Sequence, residues 1–76
     1  MCVAVPGKVI EIDREKDIAK VSVLGNLLNV NVSLIYPEIG DYVLIHAGCA
    51  LEIVKEDTAK EMEELYKLLE ESYEDR

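Results

Sequence analysis

Ile18-Ala19-Lys20-Val21-Ser22-Val23-Leu24-Gly25-Asn26-Leu27-Leu28-Asn29-Val30-Asn31-Val32-Ser33-Leu34 is the stretch that decides the fold. Ala19, Val21 and Val23 alternate with Lys20 and Ser22; Leu28, Val30, Val32 and Leu34 alternate with Asn29, Asn31 and Ser33. A period of two sustained this long belongs to strands that bury one face and wet the other. Between the two runs Gly25-Asn26 marks a tight hairpin, because both residues tolerate positive φ. Upstream, residues 8–13 alternate as well, with Ile10 and Ile12 on one side and Glu11 and Asp13 on the other. A charged turn over 13–17 joins that strand to the next. Downstream, Pro37-Glu38-Ile39-Gly40-Asp41 reads as a loop, and 42–47 as a fourth strand with Val43 and Ile45 inside. Gly48 then interrupts the pattern, as a bulge or sharp bend does. A fifth strand runs through Leu51 and Ile53, with Glu52 outward.

Five short strands joined by tight turns in one small chain favour a closed or nearly closed barrel, which hides the strand edges. After Val54 the period changes from two to that of a helix. Thr58 and Glu61 make a Thr-x-x-Glu capping box, and Ala59, Met62, Leu65, Tyr66, Leu69 and Tyr73 recur at helical spacing. Glu63, Glu64, Lys67, Glu70 and Glu71 take the other face. The expectation is an amphipathic helix over 57–74 that lays its apolar stripe on the barrel and frays toward Glu74-Asp75-Arg76. The fold class is therefore mainly β: a small five-stranded OB-like β-barrel with a C-terminal amphipathic α-helix. It forms one domain over 1–76, with an N-terminal arm (1–7), the barrel (8–54) and the helix (57–74).

Composition narrows the function. The chain has 76 residues, half of them apolar, with neither Trp nor Phe, so the core is aliphatic. A chain of that size has little room for an enclosed active site. No apolar run approaches the ~20 residues that span a bilayer, and the N-terminus lacks the pattern of a signal peptide. A cytoplasmic protein without a membrane partner is expected. The formal net charge of −8 repels a phosphate backbone, and no basic stripe offsets it, which disfavours nucleic acid. Cys2 and Cys49 lie far apart, outside any C-x-x-C spacing, and in a reducing compartment they stay thiols. With His46 as the one histidine, a closed four-ligand zinc site would need carboxylates.

The residue that carries chemistry is Cys2. It stands directly behind Met1 and is small enough that Met1 is expected to be removed, leaving a thiol and a free α-amine together at the chain end. A thiolate is both a nucleophile and a soft metal ligand. Val3, Ala4 and Val5 follow, all apolar; Pro6 cannot donate to a ladder and pushes Val5 toward extended conformations. Cys2, Val3, Ala4, Val5, Pro6 and Gly7 thus read as an arm standing off the first strand and inserting into a cleft on another protein. Such an arm is poorly suited to catalysis alone, and the chain reads as a non-enzyme. His46 falls on the Tyr42/Leu44 side of its strand, away from Val43 and Ile45, and is expected to be at least partly exposed. Cys49, between Gly48 and Ala50, reads as a small core or turn residue without a chemical role.

The opening Met1-Cys2-Val3-Ala4-Val5-Pro6-Gly7-Lys8-Val9-Ile10 resembles the N-terminal signature of the HypC/HupF (HypC/HybG/HupF) family of [NiFe] hydrogenase maturation chaperones. A second block, Gly40-Asp41-Tyr42-Val43-Leu44-Ile45-His46-Ala47-Gly48 followed by Ala50, resembles that family's Gly-Asp-aromatic-Val-…-His-x-Gly motif. Cys49 departs from the bulky apolar residue common there, which bears on local packing. The resemblance implies a non-catalytic scaffold with two partners, a HypD-like maturation protein and the [NiFe] hydrogenase large-subunit precursor. It would carry iron transiently, as Fe(CN)2CO. It makes Cys2 the iron ligand, or the contact to the partner's metal-site cysteines, and His46 a secondary candidate. Two other readings stand beside it. An OB-like barrel of this size is also the architecture of single-stranded nucleic-acid binders, which need a basic groove and stacking aromatics. An independent iron-binding or thiol-transfer enzyme would show turnover by the isolated protein.

Overall fold

A computed structural model describes residues 4–74. Five strands, β1 (Val5–Asp13), β2 (Ile18–Val23), β3 (Asn26–Asn31), β4 (Tyr42–His46) and β5 (Cys49–Val54), precede one helix, α1 (Glu56–Glu74). The strands close into a barrel in the order β1-β2-β3-β5-β4, with β4 returning to β1. This is the five-stranded, Greek-key barrel of OB type that the alternating pattern implied. All pairings are antiparallel except the closing one, where Asn31 of β3 meets Cys49 of β5 in parallel. β1 is long enough to serve two neighbours: its first half pairs with β4 and its second half with β2.

The interior is a close aliphatic core of Val9, Ala19, Val21, Val23, Val30, Val32, Val43, Ile45 and Ala50, with Val5, Ile12, Leu24 and Ile35 packed against it. Among the described residues no polar or charged side chain is buried. The central prediction for β2 and β3 holds: Ala19, Val21, Val23, Val30 and Val32 all point inward. Leu28 and Leu34, at the two ends of the third run, remain largely exposed.

The structure corrects the sequence reading at several points, each for an identifiable reason. Strand β1 begins at Val5 instead of residue 8. Val5, Pro6 and Gly7 pair with Ile45, Leu44 and Val43, and Pro6 and Gly7 are buried. The first pair between β1 and β2 is Lys8 with Ser22, so Pro6 is flanked on that side by no ladder for its missing N–H to break. Gly7 is required by close approach: a Cβ there would press on Val21, and lie 2.9 Å from Val23 Cγ2 and 3.1 Å from Ile45 Cδ1. The expected inward pair Ile10 and Ile12 is broken by a bulge between Val9 and Glu11. That extra residue turns Val9 fully inward and leaves Ile10 exposed. Val9 instead exchanges hydrogen bonds with the loop that leads into β4: its N–H donates to Asp41 O at 2.8 Å, and Gly40 N–H donates to its carbonyl at 2.9 Å.

The β2–β3 hairpin turns on Leu24-Gly25, one residue before the expected Gly25-Asn26, since Val23 pairs with Asn26. Both turn residues have positive φ, 50° for Leu24 and 90° for Gly25, as a type I′ turn demands. A leucine held there costs roughly 1–2 kcal/mol, and the packing of its side chain on the core offsets part of that. Gly48 is the second half of a similar turn, Ala47-Gly48, with φ of 57° and 80°. The bulge lies further on, where Leu44 pairs with Glu52 but Ile45 with Ala50, so that Leu51 is the extra residue. Ala50 therefore faces the core and Leu51, expected inside, is exposed; Ile53, also expected inside and paired with Val43, is 46% exposed.

Helix α1 starts at Glu56, before the Thr58–Glu61 box. Ala59 N–H donates to Lys55 O at 2.8 Å, so Thr58 sits within the first turn and does not cap it. Glu56 and Asp57 suit that first turn, where carboxylates favour the positive end of the helix dipole. The helix leans on β1 and β4 and buries Ala59 completely. Met62 and Tyr66 of the expected stripe are half-buried, whereas Leu65 is exposed. No helix among the described residues is long and apolar enough to cross a membrane.

Candidate functional site

The site is built from the first strand and the β4–β5 hairpin. The register of β1 on β4, Val5 opposite Ile45, brings Ala4 beside the end of β4, where His46 stands. Ala4 is half-buried and is the first described residue. Cys2 and Val3 lie outside the described residues. Pro6 and Gly7, expected in the arm, are parts of the barrel wall and hold the direction in which the chain leaves it.

His46 closes β4 on the face opposite Val43 and Ile45, and is half-exposed as its strand position implied. Directly across the Ala47-Gly48 turn its paired residue is Cys49, a free thiol that is also half-exposed. Because directly opposed residues of an antiparallel pair project to one side, the imidazole and the thiol share the outer face of the hairpin. On the other flank of Cys49, Asn31 N–H donates to Gly48 O at 2.9 Å, which ties the turn to β3. The Asn31 side chain is already engaged, accepting from Ser33 N–H at 2.9 Å and from Ser33 Oγ at 2.6 Å. Among the described residues neither His46 nor Cys49 makes a side-chain hydrogen bond.

Strand parity gave the outward face of His46 but not the Cys49 that stands opposite it. The signal was present: His-x-Gly-Cys places a histidine and a cysteine on either side of a two-residue turn as soon as Ala47-Gly48 is read as that turn. Among the described residues no three His, Cys, Asp or Glu side chains converge in a way that would hold a metal ion. The pair His46 and Cys49 does not by itself make a closed metal site. Elsewhere, an open depression of about 330 Å³ is lined by residues including Glu11, Lys16, Lys20 and Asn29. It mixes charge signs and holds neither thiol nor imidazole, so the chemistry-bearing groups lie outside it.

An aliphatic OB-type barrel whose β4–β5 hairpin carries a half-exposed imidazole and a half-exposed thiol on its outer face is the class of protein the described residues define. Comparison with known proteins gives that class a family. Residues 1–66 match the sequence model of the HupF/HypC family. The chain is 38% identical over 66 residues to hydrogenase maturation factor HybG of Escherichia coli (strain K12), covering 79% of this chain and 80% of that protein. It is 38% identical over 74 residues to hydrogenase maturation factor HypC of Helicobacter hepaticus, covering 88% of this chain and 79% of the relative. To hydrogenase maturation factor HypC of Synechocystis sp. it is 37% identical over 67 residues, covering 80% and 87% respectively. The chain belongs to the HupF/HypC family, and is a maturation factor, not an enzyme.

Proposed function

We propose that this protein is a cytoplasmic maturation chaperone for [NiFe] hydrogenase. It binds a HypD-like maturation protein, where iron acquires its cyanide and carbon monoxide ligands, and then the precursor of the hydrogenase large subunit, to which the Fe(CN)2CO group is delivered. The observation that supports this reading is the span of the family match, residues 1–66, which takes in both Cys2 and the Gly40–Gly48 block that contains His46. In this reading Cys2, freed by removal of Met1, is the iron ligand or the contact to the partner's metal-site cysteines, and His46 assists.

The chemistry of the donors fits the cargo. Low-spin iron with π-acceptor ligands suits a soft thiolate, and a thiolate on a chain end can follow the iron from one protein into the next. Delivery needs a bond strong enough to hold during transfer and few enough bonds to break afterwards. Val3 and Ala4 would enter the partner's cleft with the thiol, while Val5, Pro6 and Gly7, fixed against β4, keep the departure point constant. The acidic surface, with its net charge of −8, argues against the nucleic-acid binding that the barrel shape alone would allow.

The test is complementation in cells deleted for their own member of the family. The wild-type chain is expected to restore hydrogenase activity and to co-purify with both partners. Cys2→Ala is expected to restore none while remaining folded. Full hydrogenase activity from Cys2→Ala would overturn the proposal.

A further inference from the structure

We propose that the free edge of β3 is a docking site for an extended segment of a partner protein, which adds to the barrel as a further strand and places a carboxylate beside Lys16 and Lys20. The proposal goes beyond the maturation reading and stands whether or not Cys2 handles iron. β3 meets β2 along its whole length, but meets β5 only where Asn31 pairs with Cys49. Among the described residues, Asn26 to Val30 therefore have a ladder on one side alone. The two-residue turn at Leu24-Gly25 makes Val23 and Asn26 a hydrogen-bonded pair, and such pairs alternate along the hairpin. Leu28 and Val30 thus spend their N–H and C=O groups on β2, whereas those of Leu27, Asn29 and Asn31 point the other way. Asn31 obeys this parity, since its N–H donates to Gly48 O on that side at 2.9 Å. Leu27 and Asn29 are left as a row of donors and acceptors that an added strand completes.

Edges are ordinarily blunted by charge, proline or a bulge. β3 has none of these: Asn26-Leu27-Leu28-Asn29-Val30-Asn31 carries no charge, and its register on β2 is unbroken. Residues 26–29 are exposed, and helix α1 leans on β1 and β4 instead. Leu28 faces the same way as Val21, its register partner, yet is 44% exposed. Charge decides what binds. The row Glu11, Lys20, Asn29 crosses three strands and borders an open depression that also takes in Asp13, Lys16 and Ile18. Glu11 is paired with Lys20 at 3.9 Å, and Asp13 Oδ1 accepts the N–H groups of Glu15 and Lys16 at 3.1 and 3.3 Å. The Lys16 ammonium has no ion pair among the described residues, so the unmatched charge of this hollow is positive in a chain of net charge −8. A residue added opposite Asn29 shares its face and lies two strand spacings, about 10 Å, from β2. Glutamate and lysine side chains extended toward each other span that gap. The neighbours of that glutamate turn to the other face, beside Leu28, and are apolar. The occupant is accordingly an extended apolar–acidic–apolar segment. A second copy does not supply it, because β3 offers no carboxylate to its twin and two chains of charge −8 repel each other.

The test is an amide-resolved NMR titration of the full chain at low salt, with the blocked peptide Val-Ser-Val-Glu-Val-Ser-Val as probe. In the free protein the amides of Leu27 and Asn29 are expected to exchange with solvent about tenfold or more faster than those of Leu28 and Val30, and saturating peptide should remove that difference. Exchanging the peptide's Glu for Lys should weaken binding about fivefold, as loss of an exposed ion pair does. Lys16→Glu should reverse that preference; the turn uses only the backbone N–H of Lys16, so the variant keeps the fold. N-methylation of alternate peptide amides should abolish binding on one edge of the peptide and leave it unchanged on the other, because a strand docks by one edge. No change at millimolar peptide, slowed exchange confined to residues outside β3, or equal affinity for the Glu and Lys peptides overturns the proposal. Protection of Leu27 and Asn29 that rises with protein concentration alone also overturns it, and assigns the edge to a second copy.

Discussion

The two faces of the β4–β5 hairpin have opposite characters. On the inner face Val43, Ile45 and Ala50 are at most 5% exposed and belong to a core without a polar side chain. On the outer face His46 and Cys49 are half-exposed and, among the described residues, without side-chain hydrogen bonds. The difference teaches that one set of residues fixes where the hairpin sits and the other is left with its bonding capacity unspent. Inner-face changes should therefore cost stability, and with it everything else. Outer-face changes should leave the fold in place.

The comparison can be broken most forcefully from the inside. Ile45→Ala removes a buried branched side chain and should destabilise the fold by about 2–5 kcal/mol, read by chemical denaturation. A cost below about 1 kcal/mol would mean that the inner face is not what holds the hairpin. Gly7→Ala should follow at roughly 1–3 kcal/mol, because the added methyl meets Val21, Val23 and Ile45 from a strand that cannot retreat. Behaviour like wild type there would return Pro6 and Gly7 to a detached arm. His46→Ala, on the outer face, should change stability by less than about 1 kcal/mol. A larger loss would show that the outer face is structural after all. The smallest effect is expected at Leu65→Lys. That side chain is 62% exposed on the half of α1 that the barrel does not cover, and its substitution should stay within about 0.5 kcal/mol.

What could be read in the sequence follows the same division. The inner face was legible in β2 and β3 because the alternation survives into the structure at Ala19, Val21, Val23, Val30 and Val32, with Leu28 the exception. It failed at Ile10 and at Leu51 because a bulge adds one residue and reverses the parity of everything beyond it. No apolar pattern announces that insertion. Pro6 was misread for a related reason: proline excludes a central ladder position, but the start of β1, upstream of its pairs with β2, tolerates it. Helix α1 was legible in its existence, yet its beginning was not, because the acidic Glu56-Asp57 pair serves a first turn as well as Thr58 serves a cap. Of the candidate site, the half-exposed placement of His46 was legible through strand parity, and Cys2 lies outside the described residues. The pairing of His46 with Cys49 was not, since it depends on a turn at Ala47-Gly48 that needs positive φ at an alanine.

The central claim is that the N-terminal thiol of this small barrel handles iron bearing diatomic ligands. An infrared spectrum tests it most directly, because cyanide and carbon monoxide stretches fall where protein and water absorb little. The protein would be purified without oxygen from cells that also make its HypD-like partner. The wild-type preparation should show both sets of bands, and Cys2→Ala, equally folded, should show neither. Bands of equal intensity in Cys2→Ala would contradict the claim, and so would a wild-type complex with the partner that carries no bands at all.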